Sequence, residues 1–275
     1  MSTTALAPDA VSYVCTLVRW RSAIELDAAK TYLIEARLSV VAKKAGLAST
    51  TELVRSLQAK HDTELQRQVV EAMTTNETSF FRDIHPFDAL RKTILPQLTT
   101  ARADRKALNI WSAACSTGQE AYSVAMLIRE NFPHIASWNV QIIGTDLSDE
   151  VLNKVQRARF SQIEMNRGLP ATLLTKYFLR QGMEWELVPE LRGMAQFRKL
   201  NLIESWPTMP RMDVVFLRNV LIYFSPETKR LILEKVRKVM APDGVLFLGA
   251  AETTIGLDAS FRREQFENSV YYRLG

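Results

Sequence analysis

The sequence predicts an α/β protein: a small all-helical N-terminal domain, then a Rossmann-like domain with a small antiparallel β subdomain inserted. Two patterns carry this prediction. The first is an apolar strand at residues 108–114 that passes through a short Ser/Thr/Gly loop into a helical pattern. The second is another apolar strand, residues 140–144, which ends in Thr145 and Asp146. Together they are typical of the first β-loop-α-β unit of a nucleotide-type site.

Bulk composition limits the protein classes that fit. The chain has 275 residues, of which 47% are hydrophobic and 24% charged, so it can bury a sizeable core. Its net charge of +5 permits an anionic partner without requiring one. Cys15 and Cys115 are far apart and lack metal-ligand spacing, so we expect no disulfide framework and no metal site. We find neither a long apolar run nor a signal-peptide pattern, and expect a cytoplasmic protein.

We predict a helical domain over residues 1–75, with residues 1–10 disordered, and a second domain over residues 76–275. Apolar residues recur at helical spacing in the first domain and predict one face of a helix: Leu26, Ala29, Leu33, Ala36 and Val40. Lysine and arginine residues lie on the other faces of the predicted helices. One interpretation is that these cations are only solvated; the other is that Lys43, Lys44 and Arg55 bind an acidic partner helix.

The next elements follow in order along the chain. Residues 74–82 form a polar cluster followed by two aromatic residues and an arginine, and a helix is predicted at residues 86–98. Pro96 is expected near the end of that helix. Ser148 or Asp149 should cap a helix that extends to residue 157.

Strand patterns dominate the remainder. Alternating residues at 185–187 and 195–200 predict a hairpin, so the β subdomain is placed at about residues 180–200. A buried parallel strand is predicted at residues 212–217, followed by a helix at 226–240 and a strand at 245–249. Residues 261–274 could supply a terminal antiparallel pair.

The loop after the first strand indicates the type of cofactor. A dinucleotide site needs a G-x-G-x-x-G loop whose backbone closes on a pyrophosphate, but residues 115–120 contain only Gly118 and an acid, Glu120. S-adenosylmethionine (SAM) has no phosphate and carries cationic groups and a ribose diol. The loop therefore favours SAM, with Asp146 facing the ribose. The alternative is a Rossmann-like core without this cofactor.

Four motifs occur in a fixed order: NETSFFRD, SAACSTGQEAYS, GTDLSDEVL and FLRNVLIYF. With them, the chain from about residue 15 to the C-terminus resembles the chemotaxis receptor glutamate methyltransferases, the CheR family. The resemblance implies a helical domain, a SAM-binding domain with a small β subdomain, and transfer of a methyl group from SAM to glutamate side chains on cytoplasmic helices of chemoreceptors. S-adenosylhomocysteine would be the other product.

The resemblance also implies roles for individual residues. Arg82 and Tyr223 would be catalytic. The cofactor-binding residues would be Asn76, Thr78, Arg82, Glu120, Asp146, Asn201, Leu202, Asn219 and Val220. The family leads us to expect one more arginine near the reacting centre, and no motif distinguishes Arg91, Arg102 and Arg105 for this role.

The implied partners are chemoreceptor cytoplasmic domains, with the membrane reached only through the receptor and no nucleic acid; we expect a monomer. Some family members hold a C-terminal receptor peptide on the β subdomain, but the turn at residues 181–184 is short for that task. We therefore predict an enzyme that needs no tether.

Two alternatives from other classes remain open at this point. A SAM-dependent RNA or DNA methyltransferase would suit the basic pI of about 9.2, but the segment Asn219-Val220-Leu221-Ile222-Tyr223 lacks the prolines of amino-group methylases. A SAM-binding scaffold protein would keep SAM only as a ligand.

Overall fold

The computed structural model describes residues 6–59 and 62–275 of the chain. These residues divide into two compact units, a helical unit (Met1–Thr75 with Tyr223–Thr228) and an α/β unit (Asn76–Ile222 with Lys229–Gly275). The predicted disorder of residues 1–10 falls partly outside the described residues, at 1–5. It is wrong for residues 8–10, because the first helix begins at Pro8 and Leu6 is buried.

The helical unit contains α1 (Pro8–Ser22), α2 (Thr31–Lys44), α3 (Thr50–Ala59) and α4 (Thr63–Met73), with a 3-10 turn at Ala28–Lys30. Asp62 caps α4 by accepting hydrogen bonds from the backbone N–H groups of Glu64 and Leu65. Val14, Leu38 and Val69 are fully buried in its core.

The predicted apolar face of α2 is wrong. Leu33 and Val40 are 42% and 54% exposed, whereas the buried residues of this helix are Ile34, Leu38, Val41 and Ala42. Two apolar stripes lie one residue apart on this helix, and packing against α3 and α4 selects the second one. An exposed apolar stripe is thus left beside the basic C-terminal turn of α2.

The α/β unit is built from ten strands and a series of helices among the described residues. Its strands are β1 (Ala107–Ala113), β2 (Asn139–Asp146), β3 (Arg159–Ser161), β4 (Phe178–Gln181), β5 (Glu184–Leu187), β6 (Ala195–Lys199), β7 (Met212–Leu217), β8 (Met240–Leu248), β9 (Phe261–Phe266) and β10 (Ser269–Leu274). Its helices are α5 (His85–Ala89), α6 (Leu95–Ala101), α7 (Gln119–Asn131), α8 (Asp149–Arg157), α9 (Gln162–Met165), α10 (Ala171–Tyr177) and α11 (Pro189–Arg192). The last helix, α12 (Pro226–Val239), begins in the helical unit and continues in the α/β unit.

The main sheet has the strand order β6-β2-β1-β7-β8-β10-β9. The first five strands in that order pair in parallel, and β10 and β9 add an antiparallel edge. The predicted fold class is confirmed. Strand β7 has the predicted bounds and is buried along its whole length, as strands covered on both faces are.

The helix predicted at 86–98 extends from His85 to Ala101, so Pro96 lies well inside it and not near its end. Helices α5 and α6 are joined without a break by a π-helical segment, Leu90–Ile94, in which the N–H of Leu95 donates to the carbonyl of Leu90, five residues back. A proline lacks the N–H and its ring meets the carbonyl four residues earlier. The wider π turn makes room for Pro96 inside the helix.

The predicted hairpin of the β subdomain is also wrong in its pairing. The small sheet has the order β3-β5-β4, so residues 159–161 and 178–181 supply the partners of β5. Strand β6, predicted as half of the hairpin, instead pairs in parallel with β2 at the edge of the main sheet. Only Gly182 and Met183 separate β4 from β5, so the turn is as short as predicted.

In the described ranges, no helix is long and apolar enough to cross a membrane.

Candidate functional site

A crevice is expected where the chain reverses its direction of growth across the main sheet. From β1 the chain adds β2 and β6 on one side, and then returns to place β7 on the other side of β1. The connections leaving β1 and β7 therefore diverge at the carboxyl edge, which is where open α/β sheets bind ligands. The predicted cofactor residues Glu120, Asp146 and Asn219 all follow or end strands at this edge.

The loop between β1 and α7 is tightly wound. Ala114, Ser116 and Gly118 all have positive φ angles, of 54°, 50° and 90°. A Cβ atom at Gly118 would lie 2.2 Å from Val155 Cγ2, so only glycine fits there. Burial raises the pKa of the Cys115 thiol well above its ordinary value, so this cysteine is a packing residue at neutral pH.

Three backbone N–H groups of this loop, those of Cys115, Ser116 and Gly118, donate hydrogen bonds within the protein. Ser116 N donates to Asp146 Oδ2 at 2.9 Å, and Gly118 N donates to the Cys115 carbonyl at 3.0 Å. A pyrophosphate-binding loop leaves such groups free to receive phosphate oxygens. The loop therefore fits a cofactor without phosphate, which agrees with the expectation of SAM.

Asp146 organises the neighbouring side of the crevice. It is 7% exposed, and its Oδ1 accepts a hydrogen bond from Ser148 N at 3.0 Å. Its carbonyl accepts from Leu200 N at 2.9 Å, which brings the segment that starts at Asn201 and Leu202 to the same end of the sheet. Contact of these residues with adenosine stays a prediction.

A lysine of α12 holds the segment that begins at Asn201. Lys235 Nζ donates to the carbonyls of Leu202, at 3.0 Å, and Glu204, at 2.7 Å, and lies 5.4 Å from the centre of the Trp206 ring. Burial lowers the pKa of Lys235. Trp206 packs edge-on against Trp111 of β1, at 5.0 Å between ring centres. The irregular connection from β6 to β7 is thus fixed at the crevice without a helix of its own.

Arg218 is a buried residue of this edge that the sequence analysis did not include among the candidate site residues. It follows β7, its side chain is 2% exposed, and Nη1 donates to Glu120 Oε2 at 3.0 Å. Nη2 donates to Asp83 Oδ2 at 2.8 Å and to the Arg82 carbonyl at 3.0 Å. Glu120 also accepts from the buried hydroxyl of Ser112 at 2.7 Å. Arg218 therefore joins the cofactor-side acid to the segment that carries Arg82.

The NETSFFRD segment lies along the same edge. The Asn76 carbonyl accepts from Ser116 Oγ at 2.8 Å, and Phe81 N donates to Ser123 Oγ at 2.9 Å. Arg82 Nη1 donates to the Glu77 carbonyl at 3.0 Å. Asn76 and Thr78, with Thr117 and Gln119 from the β1–α7 region, line an open groove of about 660 Å³.

Backbone strain accompanies these contacts. Phe81 and Asp83, on either side of Arg82, have φ angles of 48° and 58°, and Asn219 has a φ of 58°. Such angles cost energy in residues other than glycine and persist where the surroundings hold them. Arg218 supplies the holding contacts for Asp83, and Glu252 accepts from Asn219 N at 2.8 Å. Val220 follows Asn219 on the same short connection.

The remaining predicted residues belong to the helical unit. Tyr223 ends a 3-10 turn, Leu221–Tyr223, and its carbonyl accepts from Glu25 N at 2.9 Å. Lys43, Lys44 and Arg55 are exposed, the first two in the last turn of α2 and the third on α3. The role of each of these residues stays a prediction.

None of the three arginines considered for the extra active-site position lies at the carboxyl edge. Arg91 pairs with Asp88 on the surface of the α5–α6 helix. Arg102 and Arg105 both pair with Asp213, a fully buried residue at the opposite, N-terminal end of β7. Arg218, which donates to Glu120, follows β7 at the carboxyl edge.

Across residues 6–59 and 62–275, no group of three or more His, Cys, Asp or Glu side chains is arranged to hold a metal ion.

Two regions of the chain match the two domains of one protein family. Residues 76–270 match the CheR methyltransferase SAM binding domain, and residues 9–74 match the CheR methyltransferase all-alpha domain. The chain is 40% identical to chemotaxis protein methyltransferase 1 of Pseudomonas aeruginosa, over 91% of this chain and 92% of that protein. It is 38% identical to a chemotaxis protein methyltransferase of Pseudomonas putida, over 89% and 90% of the two chains. A chemotaxis protein methyltransferase of Vibrio parahaemolyticus is 36% identical, over 91% of each chain. The chain therefore belongs to the CheR methyltransferase family.

Proposed function

We propose that this methyltransferase transfers a methyl group from SAM to glutamate side chains on the cytoplasmic helices of chemoreceptors. The observation that carries the proposal is the convergence of the four motif segments at one sheet edge, through the contacts of Ser116, Asp146 and Arg218. Support for the substrate comes from the relatives, which are named chemotaxis protein methyltransferases.

The acceptor glutamate needs little chemical activation by the protein. A glutamate carboxylate with a pKa near 4.3 is ionised at neutral pH, so no general base is required. SAM, when bound, supplies a methyl group on a sulfonium. The protein then has to orient the carboxylate and exclude water, which can supply several kcal/mol. In this proposal Arg82 and Tyr223 hold the acceptor, while Glu120 and Asp146 hold the cofactor.

A nucleic-acid methyltransferase is the alternative that the basic pI allows. It is tested by offering the purified enzyme labelled SAM together with either receptor cytoplasmic domains or RNA. We expect label in the receptor and none above background in RNA. Label in RNA alone would reject the proposal, and SAM binding without transfer to either would favour a scaffold.

The helical unit supplies a surface that suits an acidic helix. On α2, the exposed Leu33, Ala36 and Val40 precede Lys43 and Lys44, and Arg55 is exposed on α3. A helix that docks by an apolar stripe and acidic residues would match such a surface. We propose that these residues bind the receptor substrate.

Charge reversal tests this surface. Exchanging Lys43, Lys44 and Arg55 for Glu should lower kcat/KM for receptor by about tenfold at low salt, because steering by complementary charge is lost. SAM affinity should not change. The measurement is receptor methylation against salt concentration, beside calorimetry with SAM. Undiminished methylation by the triple variant would leave this surface with no role beyond solvation.

Recruitment through a receptor C-terminal peptide is the second feature to test. A peptide added to the edge of the small sheet needs a wall, and the Gly182–Met183 turn is too short to form one. We propose that the enzyme finds its substrate helices without a tether.

Truncating the last residues of the receptor should therefore leave the methylation rate within about twofold, whereas loss of a tether would lower it by orders of magnitude. Micromolar binding of the isolated C-terminal peptide would contradict the prediction.

A further inference from the structure

A second cavity lies beside the cofactor crevice, at the carboxyl end of β8. It has a volume of about 320 Å³ and is lined by residues from five stretches of the chain, including Asp83, Arg218, Gly249, Glu252, Arg263 and Ser269. We call it the Ser269 cavity. No motif recognised in the sequence explains Arg263 or Ser269.

Two buried polar atoms at this cavity have no hydrogen-bond partner: Arg218 Nε and Ser269 Oγ. Both residues line the cavity, and both are nearly inaccessible, with Ser269 at 2% exposure and the Arg218 side chain at 2%. Buried polar atoms are nearly always satisfied, so an unsatisfied pair that lines one cavity indicates an occupant.

The chemistry of the free groups indicates what that occupant offers. Arg218 Nε is a donor only, and the Ser269 hydroxyl can donate. Arg263, at the rim, makes only a 3.3 Å contact to Gln265 Oε1. The acids are engaged already: Asp83 pairs with Arg218, and Glu252 accepts from the N–H groups of Asn219, Ile222 and Gly249. The ligand must therefore supply acceptor oxygens.

We propose that the Ser269 cavity binds a carboxylate carried by an acidic side chain of the substrate protein, beside the glutamate that is methylated. The inference rests on the proposed function. Arg218 directs its Nη1 to Glu120 and its Nη2 to Asp83 and the Arg82 carbonyl, so Nε is its one donor without a partner. In this proposal the bound carboxylate is a neighbour of the acceptor and fixes its register on the enzyme.

The test uses the whole enzyme and receptor cytoplasmic domains, with Ser269→Ala, Arg263→Gln and the control Arg262→Gln. Arg262 is adjacent on β9, does not line the cavity and pairs with Glu264. Ser269→Ala removes no hydrogen bond within the protein, so its melting temperature should match the wild type. We expect KM for receptor to rise about tenfold in Ser269→Ala and about fivefold in Arg263→Gln. The kcat, the affinity for SAM and the Arg262→Gln control should stay unchanged.

A free small acid is the other source of the same chemistry, so glutarate serves as a probe and neutral glutaramide as its control. Glutarate should inhibit competitively against receptor and not against SAM, glutaramide should not inhibit, and Ser269→Ala should abolish the effect. If Ser269→Ala and Arg263→Gln have the same KM for receptor as the wild-type enzyme, the cavity holds only water. Equal inhibition by glutaramide, or activation by glutarate at saturating receptor, would also overturn the proposal. Wild-type methylation of receptor is measured in the same series, so failure of the proposed function would be seen separately.

Discussion

Asp146→Ala should weaken the binding of SAM and of S-adenosylhomocysteine by roughly 1.5 to 3 kcal/mol, because two ribose hydroxyls would lose a charged acceptor. This corresponds to roughly a ten- to hundredfold loss of affinity. The structure adds a second reason: the same carboxylate accepts from Ser116 N and Ser148 N, so its removal also releases the loop that shapes the crevice.

Isothermal titration with a folded variant measures this effect, and two further variants sharpen it. Asp146→Asn keeps an acceptor oxygen and should lose less affinity than Asp146→Ala. Asp149→Ala removes an acid that pairs with Lys199 at the start of α8 and should bind SAM like the wild type. Wild-type affinity in a folded Asp146→Ala variant would refute the ribose assignment.

Arg218→Met should lower the free energy of unfolding by about 3 kcal/mol, the low end for a broken buried ion pair, because Asp83 is half exposed. Glu120 would keep only the Ser112 hydroxyl as a partner in a largely buried position. The strained turn from Phe81 to Asp83 would lose its two hydrogen bonds from Arg218, so methyl transfer should fall more than stability alone explains.

Urea denaturation and steady-state methylation of the folded variant separate the two effects. Arg218→Lys keeps the charge but has a single ammonium, which cannot reproduce the planar set of donors toward Glu120, Asp83 and the Arg82 carbonyl. It should therefore recover only part of the loss. If the Arg218→Met variant has the unfolding free energy and the methylation rate of the wild type, Arg218 neither stabilises the fold nor positions the Arg82 segment.

Local patterns predicted the parts of the fold whose causes are local. Strand β7 is apolar except for Asp213 and is followed directly by the polar Arg218, and its predicted bounds are those observed. Ser148 accepts from Val151 N, as its place before the helix predicted. The position of the crevice at the carboxyl ends of these strands followed from these elements.

Pairing partners were not predictable in the same way. Strand β6 alternates because it lies at the edge of the main sheet, with one side more exposed, and an antiparallel hairpin strand has the same alternation. An alternation of apolar and polar residues indicates which side chains of a strand are buried, but it does not indicate which strand is the pairing partner. The α2 stripe failed for a related reason, since Leu33 and Leu38 belong to different faces and only packing selects one.

The candidate site was predictable where a motif carried it. Glu120 and Asp146 stand at fixed distances from recognisable strands. Arg218 gave one weak signal, a charge directly after a fully buried strand, but its partners Glu120 and Asp83 lie 98 and 135 residues away. The ion-pair partners of a single charged residue cannot be predicted from the sequence when they are this distant along the chain.

The chemical nature of the methylated group tests the central claim most directly. Receptor labelled from methyl-labelled SAM should release volatile labelled methanol in mild base, because the methyl ester of a carboxylate hydrolyses whereas N-methyl groups do not. We predict that nearly all of the label is volatile and that the labelled peptides contain glutamate. Label that stays on the receptor after base treatment would contradict transfer to a carboxylate oxygen.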